Sequence, residues 1–172
     1  MRKLIFFLGP AGAGKTTLAQ AWVRQHGGAF LDMDTLLRPA AEAIMTLAGQ
    51  DPSDRDSPFY KAHCRDLGYR ITMDAALEQL SVGQDAIVIG PFTKEQSDPL
   101  WLEAELARIG ATIQDVSVKV IYAFLPSEDA YKERIRQRGL ALDVWKLDNW
   151  QQFRSSLQRK EVAWQMEASS LR

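Results

Sequence analysis

Residues 9–17 read Gly9, Pro10, Ala11, Gly12, Ala13, Gly14, Lys15, Thr16 and Thr17, a full match to G-x-x-x-x-G-K-[ST]. Each residue type has a chemical reason to be there. Glycine lets successive backbone N–H groups turn inward around phosphate oxygens, where a side chain would intrude. A helix opening at the end of the loop adds further donors and a partial positive charge. Lys15 then carries a full charge to the β and γ phosphates, and the Thr16 hydroxyl can take one position on Mg²⁺. The loop therefore implies nucleotide phosphates and Mg²⁺ as the groups bound. A glycine-rich turn with a chance lysine and threonine is the plain alternative, and the apolar strand before the loop and helical pattern after it argue against that.

Phosphate loops serve motors, switches and small-molecule kinases, so other residues must discriminate. A motor usually ends its next buried strand in an acidic magnesium ligand, whereas residues 86–89 run into Gly90, Pro91 and Phe92. The guanine-reading pattern Asn-Lys-x-Asp does not occur in the chain, which favours ATP over GTP. The acids follow residues 29–31 instead, as Asp32 and Asp34. Strand period two would put both carboxylates on one side, at the strand end that faces the ligand crevice. One could hold a magnesium-bound water while the other orients an acceptor hydroxyl and takes its proton. Capping of a helix beginning at Thr35 by Asp34 is a second reading, and the two roles can coexist.

Arg134, Arg136 and Arg138 lie in the stretch KERIRQRG, with Arg134 and Arg138 at i, i+4 on one helical face. Charge spread over phosphoryl oxygens in the transition state is stabilised by arginines that a closing segment brings in, so Arg134 and Arg138 join Lys15 and Asp34 as catalytic candidates. A basic face favoured by the helix dipole is the alternative. Gly139 follows as a helix stop and a hinge. Gly90, Pro91, Phe92 and Thr93 form either a pocket loop or a tight turn. Along residues 58–80, His63, Asp66, Arg70 and Asp74 share a polar face opposite a stripe of Cys64, Leu67, Ile71 and Ala75. That face, like Arg38 and Arg65, could hold an acceptor or simply be solvated.

The elements that must position these groups follow from the apolar pattern. Short runs at residues 4–8, 29–31, 86–89 and 116–124 read as buried strands, separated by helical stretches at 15–25, 35–48, 58–80, 98–109, 127–138 and 147–168. Such alternation predicts an α/β fold with right-handed crossovers and a mainly parallel sheet covered on both faces. Residues 50–58, with three aspartates, two prolines and two serines, read as a turn-rich connection or a flap. The chain of 172 residues is expected to form one domain with one active site. Its formal net charge of −1 argues against a nucleic-acid or anionic-membrane partner. The aromatic and basic residues Trp150, Phe153, Arg154, Arg159, Lys160 and Trp164 read as amphipathic packing of the last helix. Cys64 is the one cysteine, which suits a reducing compartment and a small buried side chain. The start is too short for a signal peptide, and a cytoplasmic monomer or homodimer is expected.

On the phosphate loop, the Asp32/Asp34 pair and the arginine helix, the chain resembles the nucleoside and shikimate kinase-like group of P-loop phosphotransferases, in particular small bacterial proteins described as predicted kinases or AAA family ATPases. The resemblance implies a P-loop NTPase three-layer sandwich and transfer of phosphate from ATP to a small hydroxylated or phosphorylated metabolite. It assigns the first acid, Asp32, to magnesium with Thr16 and the second, Asp34, to the acceptor. It also implies a short lid near residues 139–148, where Asp143 and Lys146 match an Asp-x-x-Lys-Leu pattern; Leu142 stands where relatives often carry a further arginine. Relatives commonly close with a final strand, for which residues 169–172 are too short. An ATP-binding regulatory module, or an ATPase without a small-molecule acceptor, is the competing class.

Overall fold

The computed structural model describes residues 1–166. Its sheet has four strands in the order β2-β3-β1-β4, every pair parallel. They are β1 (Arg2–Leu8), β2 (Ala29–Asp32), β3 (Ala86–Ile89) and β4 (Val116–Tyr122). The near-continuous apolar run of β1 is what a central strand with two covered faces requires. Leu4, Phe6 and Leu8 enter one core layer, whereas Ile5 and Phe7 enter the other. Residues of β3 alternate in register, Ala86 and Val88 with the first set and Ile87 and Ile89 with the second. Helix α1 (Lys15–His26) covers the second layer through Ala19, Trp22 and Val23.

Helix α2 (Met33–Leu47) packs through Leu37, Ala41 and Met45 on Tyr60 and Cys64. Those two belong to a continuous helical run made of α3 (Pro58–Tyr60), a π-helical turn (Lys61–Arg65) and α4 (Asp66–Ser81). Cys64 is fully buried among apolar side chains, as expected. Helices α4 and α5 (Trp101–Ala107) cover the first layer, and α6 (Glu128–Arg138) stands beside the phosphate loop. Ser127 caps α6, accepting a bond from the Ala130 N–H at 3.2 Å, and Gly139 ends it with a left-handed φ of 60°. None of the helices among the described residues is long and apolar enough to cross a membrane.

One expectation fails. In place of a helix over residues 147–168, the chain forms α7 (Val144–Asp148), α8 (Trp150–Phe153) and a 3₁₀ turn (Arg154–Leu157), then runs on without regular structure. Ser155 and Ser156 donate to the carbonyls of Gln152 and Phe153 at 3.0 and 2.8 Å, an alternative that local hydroxyls offer the helix backbone. Trp164 then drops into the first core layer. It stacks on Trp101 at 5.1 Å, meets Phe6 at 4.8 Å and donates its indole N–H to the Glu95 carbonyl. Burying an indole outweighs the few tenths of a kcal/mol per residue that helix propensity offers. Residues 167–172, including the end of the expected helix and the stretch considered as a last strand, lie outside the described residues.

The strap makes a testable claim. Trp164→Ala is expected to cost about 3 kcal/mol, the scale for truncating a buried tryptophan, and to lower Tm by roughly 6–12 °C in thermal unfolding. A change of less than about 0.5 kcal/mol would fit a solvated terminal helix instead.

Candidate active site

All four strands point the same way, so their C-terminal ends meet at one edge, and a cavity of about 460 Å³ opens there. Its floor is the phosphate loop between β1 and α1. Gly9 has φ +135°, and a Cβ there would collide with the Ala123 carbonyl oxygen. Gly14 has φ +92°, and a Cβ there would meet only the Arg134 guanidinium, at a contact distance of 3.4 Å. The backbone favours glycine at both positions, and the space demands it at Gly9. The Lys15 amine folds back over the loop and donates to the Pro10 carbonyl at 2.8 Å.

The paired acids straddle the end of β2 and the start of α2. Asp32 is the last strand residue and caps α2, its Oδ1 accepting from the Asp34 N–H at 3.0 Å. The cap is thus Asp32, and the helix opens at Met33 rather than Thr35, because the Asp32 backbone is extended and the following residues are already helical. Strand period two does not govern the pair, since Asp34 stands in the first helical turn. Both still line the cavity. The other oxygen of Asp32, Oδ2, accepts from Thr16 Oγ1 at 2.9 Å. Thr16 and Asp32 therefore offer adjoining hard oxygens beside the loop, a donor set suited to Mg²⁺, which takes few protein ligands and shares the rest with phosphate and water.

Burial shapes the electrostatics. It pushes Lys15 down to about 8, with the nearby Asp34 charge opposing, Arg138 adding to the fall and Asp32 opposing. Burial also raises the Asp32 carboxyl, against the stabilising Thr16 bond. In the nucleotide-free protein Lys15 gives up its proton as pH climbs past about 8, whereas phosphate oxygens beside it favour the charged amine. Nucleotide binding above that pH takes up a proton, and affinity is expected to fall by up to about tenfold per pH unit. Titration calorimetry at roughly pH 8.5 in two buffers of different ionisation enthalpy reads this uptake, which Lys15→Met removes.

Both arginines of the i, i+4 pair reach the cavity, and Arg136 does not; it lies exposed beside Glu133 at 3.8 Å. Arg138 makes a two-pronged contact with Asp143, Nε to Oδ2 at 2.9 Å and an Nη to Oδ1 at 2.7 Å. Lys146 adds to this cluster, 3.5 Å from Asp143 and 3.2 Å from Asp56, with its amine also donating to the Leu142 carbonyl. Leu142 and Lys146 of the 139–148 segment line the cavity, and the Lys146 ion pair with Asp56 ties that segment to the 50–58 connection.

The opposite wall differs from the expectation. Arg70 and Asp74 are engaged with Glu105 and Arg108 in an ion-pair network joining α4 to α5, His63 stacks on Phe59, and Asp66 lies exposed 3.9 Å from Lys94. Residues from the same run that line the cavity are Tyr60, Lys61, Arg65 and Tyr69. A π-helical turn, with its wider i→i+5 bonding, carries Tyr60 and Arg65 onto one wall, whereas a 3.6-residue period separates them. Arg55 and Asp56 arrive from the connecting loop, where Asp54 accepts from the backbone N–H groups of Asp56 and Ser57. Gly90, Pro91 and Thr93 line the cavity too, so the loop after β3 belongs to the pocket. Phe92, buried and held at φ 42°, anchors it against Phe6 and Tyr69.

A parallel sheet in this order, with a phosphate loop after its central strand and an acidic pair after β2, defines a P-loop protein. The chain belongs to the AAA domain family, whose model matches residues 4–160. It shares its fold with the solved structure of a sugar kinase from Janibacter sp., at 17% identity and a TM-score of 0.62, covering 100% of this chain and 84% of that one. A solved structure from the PezAT chromosomal toxin-antitoxin system of Streptococcus pneumoniae matches at 17% identity and a TM-score of 0.55, over 80% of this chain and 52% of that one. A stretch of 41 residues is 51% identical to a cytidylate kinase of Dichelobacter nodosus, covering 24% of this chain and 18% of that kinase's length.

Proposed function

We propose that this protein transfers the γ-phosphoryl group of ATP to a hydroxyl group of a small metabolite. The observation that carries the reading is one cavity that joins Lys15 and the Thr16–Asp32 pair on its floor, Asp34 on its wall and the Arg134/Arg138 face on its lid side. In this reading the loop amides and Lys15 hold the phosphates, and Lys15 exchanges its bond to the Pro10 carbonyl for phosphate oxygens. Thr16 and Asp32 would hold Mg²⁺, which when bound neutralises phosphate charge and polarises the phosphoryl oxygens. Asp34 orients the acceptor hydroxyl and takes its proton while the oxygen bonds to the γ phosphorus and the bond to the β-bridging oxygen breaks. Arg134 and Arg138 stabilise the charge on the transferring group. Lid closure excludes water that would otherwise accept the phosphoryl group.

The test is a metabolite library screened for transfer from γ-labelled ATP. Transfer to one chemical class is expected; hydrolysis that no metabolite accelerates would favour the ATP-binding regulatory module or the ATPase without a small-molecule acceptor.

A further inference from the structure

We propose that the acceptor is itself an anion, a hydroxyl-bearing molecule with a phosphate or carboxylate group, and that Arg55 and Arg65 hold that group. This rests on the kinase reading of the same cavity. Seven basic side chains and three carboxylates line it, in a chain whose formal net charge is −1. Lys15, Arg134 and Arg138 belong to the phosphate end, and Lys146 is neutralised by Asp56 and Asp143. Arg55, Lys61 and Arg65 remain on the acceptor wall. Among the described residues none of the three has a carboxylate at ion-pair distance, whereas Arg70, Arg108 and Arg138 all do.

Their contacts orient the guanidinium groups, and the Asp51 and Asp54 charges that Arg55 feels stop short of an ion pair. Arg55 lies over the Tyr60 ring, 5.3 Å from its centroid, and donates to the carbonyls of Pro52 and Asp54 at 2.7 and 2.9 Å. Arg65 lies over the Tyr69 ring at 5.8 Å and donates to Thr93 Oγ1 at 2.9 Å. Both rings are buried, so each offers a fixed face. A guanidinium stacked on a ring keeps N–H donors at its edge for an oxyanion and matches phosphate or carboxylate with two parallel bonds. Grouping three cations without a direct ion pair costs repulsion that an incoming anion relieves. Burial pushes the Tyr60 hydroxyl up to about 12, opposed by the Arg55 charge and reinforced by that of Asp34, so both groups lie within electrostatic reach of this one lining ring.

The experiment uses the full chain saturated with Mg²⁺ and a non-hydrolysable ATP analogue, so that the phosphate loop is filled. Inorganic phosphate and malonate are titrated calorimetrically into wild type, Arg55→Gln, Arg65→Gln and the corresponding lysine variants. Saturable binding of at least one anion is expected, weakened at least about tenfold by each glutamine variant and less by lysine, with analogue affinity retained as the control for folding. The tighter probe distinguishes a phosphate from a carboxylate acceptor. Failure of both anions to bind, or equal binding in the glutamine variants, overturns the clamp. In the transfer assay each polyol is compared with its phosphorylated and acid forms. Preference for the charged forms, with acceptor KM rising in the glutamine variants, supports the clamp; equal use of neutral polyols overturns it while the kinase reading stands. Arginine-dependent anion binding without transfer to any compound leaves the clamp standing and overturns the kinase reading.

Discussion

Asp34→Asn is expected to lower phosphoryl transfer about 10³-fold while nucleotide affinity changes little, the scale on which a positioned proton acceptor contributes. Asparagine keeps the size of the side chain and can still orient a hydroxyl, but it takes no proton at neutral pH. The cap of α2 should survive, since it is the backbone N–H of residue 34 that bonds Asp32. Thr16 Oγ1 should keep its bond to Asp32 as well, so the magnesium side of the site is untouched. One coupling matters for the measurement. The Asp34 charge helps to keep Lys15 protonated, so nucleotide binding should be compared at roughly pH 7, below the Lys15 value of about 8. Transfer from labelled ATP gives kcat, and a fluorescent nucleotide gives Kd. Joint loss of transfer and binding would mean that Asp34 supports the nucleotide half of the site rather than the acceptor.

A stability effect as large as that of Trp164→Ala is expected for Asp143→Ala. Asp143 is 1% exposed and faces Arg138 and Lys146 at once. Removing it leaves two cations side by side, and breaking a buried pair costs about 3–5 kcal/mol because the remaining charge is uncompensated. Arg138 keeps a third of its side chain in solvent, and Lys146 retains Asp56 and the Leu142 carbonyl, which together place the expected loss near 3 kcal/mol. Thermal unfolding should show Tm lower by roughly 6–12 °C. Transfer should fall too, since Arg138 loses the partner that holds its guanidinium at the cavity. A Tm within about 1 °C of wild type would show that the cluster is solvated and that the lid is not closed by it.

Much of the donor side was legible in the sequence because it is contiguous. Nine consecutive residues carry the loop, the acids stand two positions apart, and one helical turn separates Arg134 from Arg138. The strands were legible because a buried parallel strand needs unbroken apolar runs, and residues 4–8 and 86–89 contain little else. The wall opposite the phosphate loop was harder to read. Polarity along residues 58–80 selects His63, Asp66, Arg70 and Asp74, whereas Lys61, Arg65 and Tyr69, spaced by four on another face, line the cavity, and the π-helical turn adds Tyr60 to them. Nothing in Lys61–Arg65 announces that turn. The last helix was misread for a related reason, since amphipathic spacing describes local preference and Trp164 answers to Phe6 and Trp101 far away in sequence.

By itself the sequence determined that a phosphate-loop motif occupies Gly9 to Thr17, that Asp32 and Asp34 stand near it, and that a parallel α/β sheet presents them, because each of these rests on short-range spacing and backbone conformation. Tertiary structure alone decided the rest: that Asp32 rather than Asp34 caps α2, that Asp143 and Lys146 join the 139–148 segment to Asp56, and that Arg55 and Arg65 line the cavity with no ion-paired carboxylate among the described residues. These depend on side chains from separate segments meeting in one low-dielectric cavity, where charge pairing and desolvation are set by neighbours remote in the chain.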